Sequence, residues 1–154
     1  MKNLTLFRHA KTEHDSPTGR DFDRRLTDRG ERDAARMGEE IRRLGIEYDA
    51  ILSSPAMRAA QTAELAGLAP RLDERIYNAS VGQLLAVVQE TTADRLLLIG
   101  HNPGLEQLGT MLLGTTLDMP TGAVAGIELP MDDWGEAATG RGRLAIYRAP
   151  KMLP

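Results

Sequence analysis

Short apolar runs alternate along the chain with stretches whose apolar residues recur every three or four positions, and Gly, Pro and Ser mark the changes. Leu4–Phe7 reads as a first strand. A helix follows, capped by Thr27, carrying Ala34, Met37, Ile41 and Leu44 at helical spacing and ending at Gly45. Ala50–Leu52 is a second short strand. It leads into Ser53-Ser54-Pro55, where Ser54 is placed to cap and Pro55 to occupy the first turn of a helix with Met57, Ala60, Ala63 and Leu65. Ser80 caps a third helix through Leu84, Leu85 and Val88. Leu96–Ile99 is the most apolar strand and stops at Gly100-His101-Asn102-Pro103-Gly104, before a helix through Leu105, Leu108 and Leu112. Two further strands, Ala123–Leu129 and Arg143–Tyr147, flank a Gly- and Asp-bearing connection and are expected to pair antiparallel at one edge. No internal repeat is visible. The pattern predicts a single α/β domain over 1–154, a three-layer α/β/α fold with a central, mostly parallel sheet and an antiparallel edge near the C-terminus.

Composition narrows the function more than it changes the fold. A chain of 154 residues is one ordinary domain with room for a sizeable core. Nineteen basic against 22 acidic residues leave a net charge of −3, with no basic block to follow a phosphate backbone, and the two Phe, three Tyr and one Trp are scattered. Nucleic acid is not an expected partner. Cysteine is absent, which removes disulfides, thiolate metal sites and cysteine nucleophiles. No stretch approaches the roughly 18 to 20 apolar residues of a membrane span, and Met1-Lys2-Asn3 leads straight into a strand, so a cytoplasmic, monomeric protein without membrane association is expected.

Three strands end in the same kind of chemistry: Arg8-His9, Ser53 to Arg58, and Gly100-His101-Asn102. In open α/β sheets ligands bind where strands end. The three endings would bring two arginines, two histidines and two helix N-termini to one crevice, a cage suited to a phosphoryl group because guanidinium forks and helix starts both favour oxyanions. A histidine on its own is more often structural than catalytic. Two at corresponding strand ends weigh differently, although a phosphate-binding pocket without chemistry remains an alternative. The flanking arginines should press the His9 pKa down and keep a neutral, nucleophilic ring. With Nδ1–H held by a backbone carbonyl, Nε2 could attack phosphorus in line while Arg8, Arg58 and His101 hold the remaining oxygens. That chemistry needs neither metal nor cofactor.

Arg8-His9-Ala10, Leu26-Thr27-Asp28-Arg29-Gly30, Ser53-Ser54-Pro55-Ala56-Met57-Arg58-Ala59-Ala60-Gln61-Thr62 and Gly100-His101-Asn102-Pro103 resemble, in order, the signatures of the histidine phosphatase superfamily, with its phosphoglycerate-mutase-like fold. The resemblance is greatest to the small SixA-type phosphohistidine phosphatases and covers most of the chain. It implies that His9 is the phosphorylated nucleophile, that Arg8, Arg58 and His101 form the phosphate pocket, and that Arg24 lies at its substrate edge, although Arg25 stands where a proline usually follows. Mutase-like relatives place a glutamate after the third strand. Here Asp73 and Glu74 are the candidates, neither in the mutase pattern, and a solvated loop explains both equally well. A phosphohistidine substrate would account for a missing strong acid, and the short Leu72–Ser80 connection has no room for a large specificity cap.

The expected substrate is therefore a phosphohistidine-bearing protein, or else a small phosphorylated molecule handled by a phosphomonoesterase of the same superfamily. A non-catalytic phospho-binding module would need a damaged pocket, yet none of the four core positions is missing. A metal site from His9, His14, Asp15, Asp21 and Asp23 is disfavoured by Arg8, Arg20, Arg24 and Arg25 in the same segment; its acidic residues read instead as a mobile, solvated loop pairing with those arginines. Trp134 and the Gly140-Arg141-Gly142 turn receive no role.

Overall fold

The computed structural model describes residues 1–137 and 139–154. Its six-stranded sheet runs β3-β2-β4-β1-β5-β6, with β1 (Lys2–Arg8), β2 (Ala50–Ser53), β3 (Arg71–Leu72) and β4 (Arg95–Gly100) parallel, and β5 (Val124–Leu129) and β6 (Arg143–Arg148) continuing it antiparallel beyond β1. The two-residue β3 has no hydrophobic signature and was not anticipated; both of its side chains are exposed.

Alternation along the central strands decides which helix covers which face. Leu4, Leu6, Leu96 and Leu98 bury against α3 (Val81–Gln89) and α4 (Gly104–Leu113), while Phe7, Leu97 and Ile99 bury against α1 (Asp28–Arg43) and α2 (Met57–Leu65). The result is the expected α/β/α sandwich. Thr27 caps α1 by accepting the Gly30 N–H at 3.0 Å, and Ser80 with Gln83 forms a reciprocal capping box on α3. Gly30 also lies so close to the Lys11 carbonyl that a Cβ would collide with it, which ties the start of α1 to the loop after β1.

Helix α2 departs from expectation at both ends. It begins at Met57 rather than at Pro55, although Ser54 still makes a capping bond, its Oγ accepting the Ala56 N–H at 3.2 Å. Its buried face is Arg58, Ala59, Thr62 and Ala63; of the expected stripe through Met57, Ala60, Ala63 and Leu65 only Ala63 is buried, Met57 and Ala60 are half-buried, and Leu65 is 40% exposed. The buried face carries a polar stripe because it abuts the site rather than the core alone.

Trp134 and the glycine turn have structural roles. Trp134 is buried in the main core, and its indole N–H donates to the Ala93 carbonyl at 2.5 Å. The Gly140 and Gly142 N–H groups donate to the carbonyls of Met111 and Leu112, at 2.9 and 2.7 Å, and so satisfy carbonyls left open where α4 ends. Among the described residues no helix is long and apolar enough to cross a membrane.

Candidate active site

Strand register brings the three endings together. Arg8 of β1 lies level with Gly100 of β4, and Ser53 of β2 with Ile99 of β4. One step further, His9 N–H donates to the Gly100 carbonyl at 3.2 Å and Ser54 N–H to the Ile99 carbonyl at 3.0 Å. His9, Ser54 and His101 thus sit side by side at the carboxyl end of the sheet. The His9 and His101 ring centroids are 5.2 Å apart.

His9 is held from several directions. Its Nδ1–H donates to the Ala10 carbonyl at 2.8 Å, its own carbonyl accepts the Gly122 N–H at 2.9 Å, and Ala10 N–H donates to Thr62 Oγ1 at 3.0 Å. Nε2 keeps a free lone pair. Burial pulls the His9 pKa down from 6.5 to about 4, with the nearby charges of Arg58, Arg8 and Arg24 adding to the effect against the opposing bond to Ala10. The direction is the one the flanking arginines imply, but desolvation outweighs them as its cause. His101 is likewise pulled to about 3, first by burial and then by Arg58.

Arg8 is anchored through Nη1 to the Met119 carbonyl at 3.0 Å, an oxygen that the Asn102 amide also reaches at 2.9 Å, while the Met119 N–H donates to Glu106 at 2.8 Å. Arg8 Nε is buried without a protein partner. Arg58 lies in the first turn of α2, almost wholly buried, and donates through Nη1 to the Asp21 carbonyl at 2.9 Å and through Nη2 to the Asp21 carboxylate at 3.1 Å. Asp21 is exposed and pairs with Arg24 Nη1 at 3.0 Å, as expected of a solvated segment pairing with its own arginines, but it also reaches the site, accepting the Tyr77 hydroxyl at 2.7 Å. These donors, Tyr77 foremost, hold its carboxyl far below the usual carboxylate range, so it stays ionised.

The segment bearing Asp21 is pinned rather than loose. Glu13 N–H donates to the Arg25 carbonyl at 2.8 Å, Leu26 N–H to Gln61 Oε1 at 2.9 Å, and Thr12 pairs with Leu26 in an antiparallel bridge. Arg24 turns inward, its Nε and Nη2 donating to the Glu13 carbonyl and Thr12 Oγ1, while Arg25 is exposed. The missing proline therefore does not shift Arg24 away from the site. Among the described residues no three carboxylate or imidazole groups gather into a metal-holding cluster.

Of the connection after β3, the part that reaches the site is not carboxylic. Asp73 caps a short 3-10 turn and binds Arg75 through both oxygens, which holds its pKa down, and Glu74 is exposed. Tyr77 is the residue that arrives, its ring edge-on to His101 at 5.7 Å between centroids and to Phe22 at 5.1 Å. Sequence reasoning missed Tyr77, Asn78, whose Oδ1 accepts Arg58 Nη2 at 3.4 Å, and the contact of Ser54 Oγ with His101 Nε2 at 2.8 Å. An aromatic residue three positions beyond the acid candidates was the one available signal.

Residues 4–118 match the histidine phosphatase superfamily (branch 1). An uncharacterized protein of Mycobacterium tuberculosis is 31% identical over 160 residues, covering 94% of this chain and 99% of its own, and one from Picosynechococcus is 34% identical over 118 residues, 66% of this chain and 67% of its own. Among solved structures, SixA from Agrobacterium tumefaciens superposes with a TM-score of 0.83 at 28% identity, covering 97% of this chain and 98% of that one. SixA solved with tungstate gives 0.83 at 25% identity over 99% of both chains. The family match runs from β1 to beyond α4, and the chain belongs to the histidine phosphatase superfamily, in its SixA-type form.

Proposed function

We propose that this protein is a metal-independent phosphatase that removes the phosphoryl group from phosphohistidine in a protein, through a covalent intermediate on His9. The observation that carries the proposal is the state of the His9 ring: neutral, with Nδ1–H committed to Ala10 and Nε2 left as the nucleophile. In the first step Nε2 attacks phosphorus as the P–N bond to the substrate imidazole breaks, and the departing ring nitrogen takes a proton from solvent water. In the second, water attacks phosphorus, the P–Nε2 bond breaks, and inorganic phosphate leaves with His9 restored. Arg8, Arg58 and His101 surround the transferring oxygens and offset charge in the transition state, with Arg24 at the rim.

The substrate assignment has two supports. Asp73 is tied to Arg75 and Glu74 is exposed, so neither carboxyl is poised to protonate an alkoxide, whereas an imidazole leaves with far less help. One of the similar structures is of the protein histidine phosphatase SixA in complex with tungstate, an oxyanion of phosphate-like shape. The test compares purified protein on phosphohistidine, phosphoserine and small sugar phosphates. Turnover of phosphohistidine that His9→Ala lowers to below about one per cent, with an acid-labile phosphoryl group trapped on His9 in the wild type, is the expected result. Full activity of His9→Ala, or turnover of a sugar phosphate alone, would overturn it.

A further inference from the structure

Two buried side-chain nitrogens beside His9 have no protein partner, Arg8 Nε and His101 Nδ1. Orphaned buried polar atoms are rare and need a reason. Arg8 Nε is always a donor, and its reason is an oxyanion. For His101 Nδ1 the question is whether it donates at all, because a neutral imidazole carries one proton and either nitrogen can hold it.

Ser54 decides. Its Oγ offers one donor and two lone pairs, is fully buried, and has two partners: it accepts the Ala56 N–H at 3.2 Å and lies 2.8 Å from His101 Nε2. If the hydroxyl donates to Nε2, every polar group of Ser54 is satisfied, and the ring proton must sit on Nδ1, leaving one unpartnered N–H. If Nε2–H donates to Ser54 instead, the serine hydroxyl proton has no acceptor and Nδ1 presents a bare lone pair, leaving two groups unsatisfied. The first arrangement is favoured because each unmatched buried group loses its hydration without replacement.

We propose that Ser54 is a positioning residue that fixes His101 in the Nδ1–H tautomer, so that the uncharged ring offers an N–H to a phosphoryl oxygen alongside Arg8 Nε. The opposite tautomer would aim a nitrogen lone pair at an anion. The second half of this proposal rests on the phosphatase reading of the site; the tautomer does not, and can be measured without any ligand.

The test is a two-bond proton–nitrogen correlation spectrum of 15N-labelled protein at pH 7, with His101 assigned by its loss in His101→Asn. The expected result is a protonated Nδ1 and a bare Nε2, with the Nδ1 signal moving as inorganic phosphate is titrated in. In Ser54→Ala the Nε2–H form should appear, and both phosphate affinity and kcat/KM should fall about tenfold, the cost of a weakened oxyanion donor. Ser54→Thr, which keeps the hydroxyl, should retain the wild-type tautomer. An Nε2–H ring in the ligand-free wild type would overturn the proposal whether or not either variant folds, as would a Ser54→Ala protein with unchanged tautomer and phosphate affinity. A wild-type Nδ1–H signal indifferent to phosphate would instead sink the phosphoryl-site reading and leave the Ser54 lock in place.

Discussion

In the proposed reaction His9 attacks only while its ring is neutral, and the reason it is neutral is mostly that water is kept from it. A ring pulled from 6.5 to about 4 in the free protein should show an NMR titration midpoint near 4; a midpoint near 6.5 would mean a wet site in which burial contributes little. The same shifts bear on stability. His9 and His101 both have folded-state pKa values below the ordinary 6.5, so between about 6.5 and 4 the unfolded chain binds protons that the folded chain refuses. Their contribution is fully present above pH 6.5 and is lost as the pH falls. The urea midpoint should therefore drop from pH 7 to pH 5, and drop less steeply in His9→Gln. At this scale Arg8, His9, Arg58 and His101 were all legible, because each stands at a strand end or helix start where backbone geometry alone brings it in. Ser54 was legible as a cap, and its Oγ does accept the Ala56 N–H, but nothing local reveals its second partner, a histidine 47 residues away.

Among the elements, the segment between β1 and α1 carries the largest surprise. Its arginines and acids alternate, a pattern that reads as a solvated loop, yet Asp21 comes down between Arg58, Arg24 and Tyr77. Two guanidinium groups, of Arg24 and Arg58, then face one carboxylate before any phosphoryl group arrives. Asp21→Asn keeps the backbone carbonyl that anchors Arg58 Nη1, so orientation is largely preserved while a competing negative charge is removed. Because Asp21 is 43% exposed, water screens that charge, and inorganic phosphate should inhibit the variant only about fivefold more tightly, an advantage that fades with added salt. Weaker inhibition would show that the carboxylate chiefly orients Arg58. The strands and four helices were legible from periodicity, whereas β3 was not, because two exposed residues paired to β2 carry no hydrophobic pattern. The buried face of α2 escaped for the opposite reason: Arg58 and Thr62 are buried polar residues serving the site, and an apolar-stripe argument passes over them.

At the scale of the molecule, the proposed reaction would draw its phosphoryl cage from the strand ends and the start of α2 and leave the connections to meet the leaving group, so substrate class would be written in the connections. The one after β3 delivers Tyr77, whose hydroxyl donates to Asp21 and would have to leave that bond to protonate anything else. Asp73 and Glu74 stay with Arg75 and solvent. If the natural leaving group is an imidazole, Asp73→Asn and Glu74→Gln should each change phosphohistidine hydrolysis by far less than the roughly hundredfold typical of losing a general acid. An alkyl phosphate poses a harder demand, because an alkoxide leaves poorly without a proton. The informative quantity is the mutational loss on an alkyl ester divided by the loss on phosphohistidine, both measured below saturation so that transition states are compared. The arrangement of Asp73 predicts a ratio near one together with slow wild-type turnover of the ester, since no acid is in place to lose. A large loss on both substrates would place a working acid in this connection after all, reached by a rearrangement of the Asp73–Arg75 pair. Fast ester turnover that collapses in Glu74→Gln would shift the substrate from a phosphorylated protein side chain to a small phosphomonoester, with the His9 chemistry unchanged.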